Sequence, residues 1–401
     1  MSVVLNSNLR HLRLFLAVAE TGSVTRASER CHVSQPAVTQ VIGKLERIAQ
    51  QPLFLRRTQG LFTTPAGVAL SERIRRTFLH LHPPLDALSP RLRNIVSTSQ
   101  LRALIAVCEA ENFTLAASRL GLAQPTVHRA VTQLEQDAGR ALFERTSHGM
   151  IATRPALALA QGARLAFAEL EQAEAELAAL TGQEVGRIVV GAMPLSRFSL
   201  LPRVIARFRE RYPLLLIRTV EGPYEDLLNR LRRGELDLLI GALRYPSPIS
   251  DVEQRHLLND PLVFVARPGH PLVRARNLDM SRLGDFPFVV SPPETPTRRA
   301  FDRMFREAGL SPLSLVETGS MVLMRELLRL TDHIGCISAT QVAGEIELGA
   351  LARLPVTLDR TSREIGMTIR REWLPTQAQQ SFIDDLHAVA SPKNVSPRSA
   401  E

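Results

Sequence analysis

Apolar positions recur at helical spacing over the first 180 residues, and short apolar runs alternate with helical segments beyond them. A first helix is predicted by four apolar residues that lie one, three or four apart: Leu12, Phe15, Leu16 and Ala19. A short second helix is predicted over Thr25–Arg30. The third begins at Ser34 and turns four apolar side chains inward: Val38, Val41, Ile42 and Leu45. Residues 53–64 then hold two β-like pieces around Gly60.

The same pattern recurs 89 residues later without a gap, where Leu101–Ala156 aligns with Leu12–Gly67. Identical pairs include Glu20 with Glu109, Pro36 with Pro125 and Arg56 with Arg145. This offset is too long for a solenoid repeat, so the sequence predicts a duplicated domain. We call residues 7–67 copy one and residues 98–154 copy two, with a linker over 68–97.

The third helix of each copy exposes polar side chains near its N-terminal end. Copy one offers Ser34 as N-cap, Pro36 in the first turn, and four exposed polar residues: Gln35, Thr39, Gln40 and Lys44. Such a helix suits the base edges of the major groove, and Arg56 and Arg57 in the hairpin suit the phosphates. Copy two presents a related set: Gln124, Thr126, His128, Arg129 and Arg145.

A heptad pattern occupies residues 155–182, with its apolar positions at Leu159, Ala163, Ala166, Leu170, Ala173, Leu177 and Leu180. It predicts a helix that pairs with a second chain, and a helix packed on its own chain is the alternative. The equivalent stretch after copy one meets Pro83 and Pro84, which predicts a truncated helix.

From Arg187 onward, strands alternate with helices, which predicts an α/β domain with parallel sheets over 183–391. We expect two lobes, one near 187–256 and 372–391 and the other near 257–371, followed by a flexible tail over 392–401. Ligands of such folds bind at strand ends and helix N-termini. Six residues at these places are candidate effector contacts: Ser196, Tyr224, Thr295, Arg298, Thr318 and Ser320. For each, a helix cap without a ligand is the alternative.

The net charge of +9 is carried by the front of the chain. Residues 1–155 hold 19 Lys and Arg against 10 Asp and Glu, whereas residues 156–401 hold 30 of each. Excess positive charge in one region is typical of nucleic-acid binding, and a basic surface without a partner is the alternative. The apolar runs are too short for a membrane span, and no signal sequence is recognised, so we expect a cytoplasmic protein.

Copy one resembles the winged helix-turn-helix domain of LysR-type transcription regulators. The resemblance lies in five motifs: Phe15–Ser23, Ser34–Val38, Leu45–Glu46, Leu53–Arg56 and Thr63–Gly67. Copy two matches less fully, since Ala123 stands at the N-cap and His128 and Arg129 replace Thr39 and Gln40. Copy two is therefore expected either to read different bases or to be a decayed duplicate that serves packing.

The C-terminal half is similar to the effector-binding domain of the same family, which is related to periplasmic solute-binding proteins. The similarity lies in Leu231–Asp237, Pro268–Leu272 and His333–Cys336. It implies a mixed fold: two winged helix-turn-helix domains, a linker helix that mediates dimerisation, and a two-lobed α/β domain. Tandem regulators of this kind resemble a galactose-related, sugar-responsive subgroup.

The resemblance implies double-stranded DNA, a small-molecule effector and, for an activator, RNA polymerase as partners of a homodimer or homotetramer. The effector is expected to be a sugar or a small organic acid. An architectural DNA-binding protein without an effector is the main alternative. An enzyme is disfavoured because no catalytic motif is found, and neither a cofactor nor a metal is expected.

Overall fold

The computed structural model describes residues 8–146, 149–246, 249–276, 278–293, 295–358 and 361–391. The expected tail over 392–401 lies outside the described residues. The chain divides into two compact units. The first runs from the N-terminus to Arg187 and includes Arg233–Glu235, and the second comprises Ile188–Arg232 and the chain from Leu236 onward.

Copy one forms three helices and a hairpin. Helices α1 (Leu9–Thr21), α2 (Val24–Arg30) and α3 (Gln35–Ala49) precede strands β1 (Phe54–Arg57) and β2 (Gly60–Thr63). The strands pair antiparallel, with Phe54 opposite Thr63 and Arg57 opposite Gly60. Phe15 of α1 packs against Phe54 of the hairpin at a ring distance of 5.2 Å, so the hairpin is fixed to the helical core.

Copy two repeats the arrangement with helices α6 (Thr98–Ala110), α7 (Phe113–Leu120) and α8 (Gln124–Ala138) and strands β3 (Phe143–Thr146) and β4 (Gly149–Ala152). A long helix follows each copy: α4 (Pro65–Leu88) after copy one and α9 (Arg154–Ala179) after copy two. The short helix α5 (Leu92–Ile95) connects α4 to copy two.

Helix α4 contradicts the prediction of a truncated linker. It continues through Pro83 and Pro84 to Leu88. Leu81, Leu85 and Leu88 are buried on both sides of the prolines, and α4 packs along α9. Burial of this stripe compensates for the backbone hydrogen bonds that the two prolines cannot donate.

The second unit begins with a five-stranded sheet in the order β6-β5-β7-β14-β8. Its strands are β5 (Arg187–Ala192), β6 (Leu216–Val220), β7 (Leu238–Ala242), β8 (Val252–Asp260) and β14 (Arg363–Arg370). Strands β5 and β7 are parallel, but β14 runs antiparallel to both β7 and β8. Helices α10 (Pro194–Phe198), α11 (Leu200–Arg209), α12 (Tyr224–Arg232) and α16 (Gln377–Ala390) complete this lobe, and α11 packs on α16.

The other lobe contains a sheet in the order β11-β10-β12-β9-β13. Its strands are β9 (Leu262–Ala266), β10 (Phe288–Val290), β11 (Leu315–Glu317), β12 (Ile334–Ser338) and β13 (Ala352–Arg353). Helices α13 (Pro296–Glu307), α14 (Met321–Leu330) and α15 (Ala339–Glu347) and the 3₁₀ turn Ser281–Leu283 accompany it. Strand β10 is parallel to β11 and β12, and β9 is antiparallel to β12.

Two expectations for this half need correction. The sheets are mixed rather than parallel, because β9 and β14 each enter a sheet from the opposite direction. The lobe boundaries expected near residues 257 and 372 are also displaced, since β8 extends to Asp260 and β14 begins at Arg363 within the first sheet. The chain thus crosses between lobes after Asp260 and before Arg363.

Candidate nucleic-acid interface and effector cleft

Helix α3 is amphipathic in the predicted sense. Val38, Val41, Ile42 and Leu45 are buried, whereas five candidate contacts are exposed: Gln35, Pro36, Thr39, Gln40 and Lys44. The apolar face packs on α1 and α2, so the polar face is exposed. Amide and ammonium groups presented in this way can donate and accept hydrogen bonds at base edges.

The hairpin β1–β2, which we call the wing of copy one, lies beside the start of α3. Arg56 and Arg57 are exposed on β1, and a shallow surface depression is lined by Gln35, Gln40 and both arginines. The tip is fixed to the first turn of the domain, because Leu61 donates its N–H to the carbonyl of Gly22 at 2.9 Å. Recognition helix and wing therefore form one continuous polar and basic surface.

In each copy, a glutamate on the third helix (α3 or α8, which we call the recognition helices) accepts hydrogen bonds from the backbone at the start of the following hairpin. The hairpin β3–β4 is the wing of copy two. Glu46 Oε1 accepts the backbone N–H of Leu53 at 3.0 Å and that of Phe54 at 3.3 Å. In copy two, Glu135 Oε1 accepts the corresponding N–H groups of Leu142 and Phe143 at 2.8 and 3.3 Å. The Leu-Glu motif was noted in the sequence only as part of the resemblance, and the structure shows that its glutamate has this local positioning role.

Helix α8 of copy two also exposes a polar face. Gln124, Thr126 and Arg129 are exposed, and a surface depression runs along the helix past Gln133 and Gln136. His128 is only half-buried, because its ring packs against Phe113 at 4.9 Å. The Arg145 side chain lies outside the described residues, although its backbone belongs to β3.

The predicted difference in helix caps is not observed. Ser34 occupies the N-cap position of α3, but its side chain makes no capping hydrogen bond. Ala123 at the start of α8 makes none either, and both helices carry proline in the first turn. The serine therefore gives copy one no cap bond that copy two lacks.

The heptad residues of α9 contact this chain rather than a second one. Residues from Leu159 to Leu177 in the pattern are buried, and only Leu180, just beyond the helix, is exposed. Helix α4 covers them. The prediction that the apolar heptad positions pair with a second chain is therefore wrong. The structure shows the alternative, a helix packed on its own chain.

A charged cluster lies inside this helix pair. Arg73 of α4 is fully buried, with its guanidinium 2.8 Å from Glu169, 2.5 Å from Gln172 and 2.5 Å from Glu176 of α9. Arg76 donates a second bond to Glu169 at 2.9 Å. Burial alone raises the pKa of Glu169, but hydrogen bonds from His80 and Arg73 and the positive charges of both arginines outweigh it and lower that pKa to about 2.

Two effector candidates lie in the first lobe. Ser196 is fully buried, and its hydroxyl donates to the Met193 carbonyl at 2.8 Å. Tyr224 follows β6 and is buried beneath Arg244, whose guanidinium lies 3.5 Å from the ring centre. The Tyr224 hydroxyl finds no hydrogen-bond partner among the described residues, and burial raises its pKa, so it is a protonated donor without an acceptor.

The other four candidates follow β10 and β11, which are parallel neighbours. Thr295 caps α13 by accepting the Arg298 N–H at 3.2 Å, and Ser320 caps α14 by accepting the Leu323 N–H at 3.3 Å. Thr318 Oγ1 accepts the Ser320 N–H at 3.0 Å. Arg298 pairs with Asp302 at 2.8 Å and also with Glu317. Both of its partners already neutralise the guanidinium.

The crossing between lobes contains two residues that sequence reasoning missed. Asp260, at the end of β8, is fully buried and accepts from Arg363 at the start of β14 at 2.6 Å. Asp260 also accepts from Ser338 Oγ at 2.9 Å, while Arg363 donates to Thr297 in the first turn of α13. Arg363 Nε is buried with no partner among the described residues. No sequence motif marks this pair, because its members are 103 residues apart.

Within the described part of the chain, no helix is both long and apolar enough to cross a membrane.

Comparisons with known proteins agree with this architecture. Two family models match: the LysR substrate binding domain over residues 181–391, and the bacterial regulatory helix-turn-helix protein of the lysR family over residues 9–68 and again over 98–157.

Curated relatives carry regulator names. The HTH-type transcriptional regulator GalR of Pseudomonas putida is 34% identical over 375 residues, covering 92% of this chain and 94% of that protein. The HTH-type transcriptional regulator CbbR of Sinorhizobium medicae is 31% identical and covers 73% of this chain and 92% of its own. The GalR match thus includes more of the front of this chain than a single winged helix-turn-helix domain would.

Solved structures show the same fold. A full-length OxyR variant from Pseudomonas aeruginosa aligns with a TM-score of 0.52 at 21% identity, covering 73% of this chain and 93% of that one. CbnR, a LysR family transcriptional regulator, aligns with a TM-score of 0.50 at 20% identity, covering 73% and 98%. The resemblance found in the sequence is confirmed: this chain belongs to the LysR family of transcriptional regulators, with an N-terminal DNA-binding part and a C-terminal effector-binding domain.

Proposed function

We propose that both copies bind double-stranded DNA, with α3 and α8 in the major groove and the wings along the phosphates. The matching polar faces of α3 and α8, each braced to its hairpin by a glutamate, carry this proposal. Gln40 and Arg129 occupy equivalent positions and have different donors and acceptors, so the two copies read different bases. The protein acts in the cytoplasm, where the promoter DNA is.

The effector enters the cleft of the C-terminal domain. Tyr224 Oη and Arg363 Nε are buried donors without partners among the described residues, which favours a ligand rich in oxygen acceptors. A small organic acid or a sugar meets this requirement. Ser196, Thr295, Arg298, Thr318 and Ser320 already bond within the protein, so they contribute through the shape and dipoles of the cleft wall and Tyr224 is the primary contact.

The effector acts by shifting the population of two arrangements of the lobes. It can do so only if it binds one arrangement more tightly than the other. The ion pair of Asp260 with Arg363 lies where the chain crosses between the lobes. The two arrangements therefore differ at this pair. Promoter activity then changes through altered DNA binding or contact with RNA polymerase.

The DNA contacts are tested by titrating a labelled fragment of the regulator's own upstream DNA at two salt concentrations, against scrambled competitor. Arg56→Ala and Arg145→Ala each remove a phosphate contact, so binding weakens and the magnitude of the salt slope falls by about 1. Arg306→Ala, an exposed arginine of α13, is the matched control and leaves binding unchanged. If wild type shows no preference over scrambled DNA, the proposed contacts are wrong.

The effector contact is tested with Tyr224→Phe, which removes only the hydroxyl. A panel of carboxylates (benzoate, succinate) and sugars (galactose, glucose) is first screened by thermal shift with wild-type protein. For any compound that binds, Tyr224→Phe weakens the affinity about tenfold, while the ligand-free variant is at least as stable as wild type. Tyr212→Phe, whose hydroxyl lies 3.4 Å from Ser381, is the control. Unchanged affinity in Tyr224→Phe contradicts the assignment.

A further inference from the structure

The helix pair α4–α9 joins two parts of the chain that are equivalent by the 89-residue offset but differ in chemistry. Arg73 of α4 corresponds to Gly162 of α9. Arg73 faces Glu169, Gln172 and Glu176 across the pair. Gly162 faces the backbone carbonyl of His80 and the ring of Pro84 instead. The two halves of the interface are therefore related in position but not in the interactions they make.

Gly162 permits a close approach that a larger residue would prevent. A Cβ atom at this position would lie 2.5 Å from the His80 carbonyl oxygen and 2.9 Å from Pro84 Cγ. The two helices approach too closely at Gly162 to leave room for a charged network there. The buried Arg73, in contrast, requires carboxylates opposite it. One half of the interface thus depends on arginine at position 73 of α4, and the other depends on glycine at the equivalent position 162 of α9.

Two α9 helices from different chains cannot reproduce this pairing. Glycine would replace Arg73 on both sides, so the buried Glu169 and the partly buried Glu176 would lack the guanidinium that they contact here. Two α4 helices fail for the opposite reason. The equivalents of Glu169, Gln172 and Glu176 on α4 are His80, Pro83 and Ala87, which provide no carboxylate for a buried Arg73.

The pair also connects the two DNA-binding domains through one continuous core. A single cluster of buried side chains runs from Phe15 and Leu45 of copy one through Ile74 and Leu170 to Leu134 of copy two. Gln51, just after α3, donates to the Leu177 carbonyl of α9 at 2.9 Å. Both recognition helices are thus held in one packed unit rather than on a flexible connection.

We propose that a single chain is a complete, asymmetric pair of winged helices that recognises a composite DNA site made of two unlike half-sites. This inference rests on the proposed DNA contacts of α3 and α8. Gln40 and Lys44 of copy one read one half-site, and their equivalents Arg129 and Gln133 of copy two read the other. Association between chains uses surfaces other than the α4–α9 pair and brings further half-site pairs together.

In vitro selection from random DNA with the full-length chain tests the proposal. Wild type enriches a motif of two unlike half-sites at fixed spacing. Gln40→Ala relaxes base preference in one half only, and Arg129→Ala relaxes it in the other half only, each by roughly 5- to 150-fold for the preferred base. Arg47→Ala, in the last turn of α3, and Arg140→Ala, just after the end of α8, change exposed residues and are controls that leave both halves unchanged.

The number of chains per site gives an independent measurement. The shortest DNA fragment that holds both half-sites is kept at a concentration well above the dissociation constant and is titrated with the protein. The expected break point is one chain per fragment, whether or not chains associate elsewhere.

A break point of two chains per fragment, an inverted repeat in which one variant changes both halves, or no effect of Arg129→Ala would each overturn the inference while the DNA contacts of copy one stand. Failure of wild type to enrich any sequence would instead remove the proposed DNA contacts on which the inference rests.

Discussion

At the scale of single residues, Arg73 is a fully buried charge among the described residues of the first unit. Its side chain has no exposed surface, yet it contacts two carboxylates and an amide from α9. Removing one partner of a buried ion pair leaves the other charge without compensation in a poorly solvated site. The stability of the unit therefore depends on both members being present.

Arg73→Ala is expected to destabilise the first unit by about 3–5 kcal/mol, because Glu169 and Glu176 lose their buried partner. Arg75→Ala on the same helix is the matched control. Arg75 is exposed and pairs with the exposed Glu72 at 3.4 Å, so its loss costs less than about 0.5 kcal/mol. Chemical denaturation followed by circular dichroism measures both changes. Equal costs for the two variants would contradict the assigned role of the cluster.

Glu169 makes the same unit sensitive to acid. Its pKa of about 2 in the folded protein lies below the ordinary value of 4.5. A carboxylate with a depressed pKa contributes stability that is complete above the unfolded value and is lost as pH falls through the folded value. We expect wild type to lose on the order of 3 kcal/mol between about pH 5 and pH 2 from this group. Glu169→Gln should show a shallower decline in denaturation midpoint over that range, and parallel curves would refute the prediction.

At the scale of elements, sequence reasoning located helices well where packing and local preference agree. The second helix was predicted over Thr25–Arg30 and is found as α2 over Val24–Arg30, and the third was predicted from Ser34, which is the N-cap of α3. It failed at α4, because Pro83 and Pro84 end a helix on local grounds and the sequence does not show that α9 lies alongside. It also missed β8 and β14, whose pairing joins residues more than a hundred positions apart.

The candidate DNA contacts could be predicted because the polar face of a recognition helix follows from the spacing of its apolar residues. The effector cleft could be predicted only as a set of strand ends. Which of those side chains has an unused donor depends on tertiary contacts, as the pairing of Arg298 with Asp302 and Glu317 shows.

The caps of the first unit provide a test at this scale. Thr64 caps α4, since its hydroxyl accepts the Gly67 N–H at 3.0 Å and donates to the Pro52 carbonyl at 2.8 Å. Thr64→Ala is therefore expected to cost about 1–2 kcal/mol. Ser34→Ala and Ala123→Ser should each change stability by less than about 0.5 kcal/mol, because Ser34 makes no cap bond. A cost for Ser34→Ala comparable to that of Thr64→Ala, measured by urea denaturation, would show that Ser34 caps α3 in solution.

At the scale of the whole molecule, the charge and the cores are divided between the two units. The excess of positive charge lies before residue 156, and the buried clusters of the second unit share no residue with those of the first. A DNA-binding unit and an effector-binding unit with separate cores can differ in stability, so a ligand or a variant can stabilise one without the other.

The single tryptophan makes this separation measurable. Trp373 belongs to the second unit, where Arg370 lies 5.8 Å from its ring, so its fluorescence reports on that unit alone, whereas circular dichroism reports on both. Arg73→Ala should lower the urea midpoint of one circular dichroism transition and leave the fluorescence midpoint in place. Arg363→Met should lower the fluorescence midpoint and leave the circular dichroism transition of the first unit in place, because it leaves the buried Asp260 without its cation. If either variant shifts both midpoints equally, the two units unfold as one cooperative body, and their stabilities are not separate.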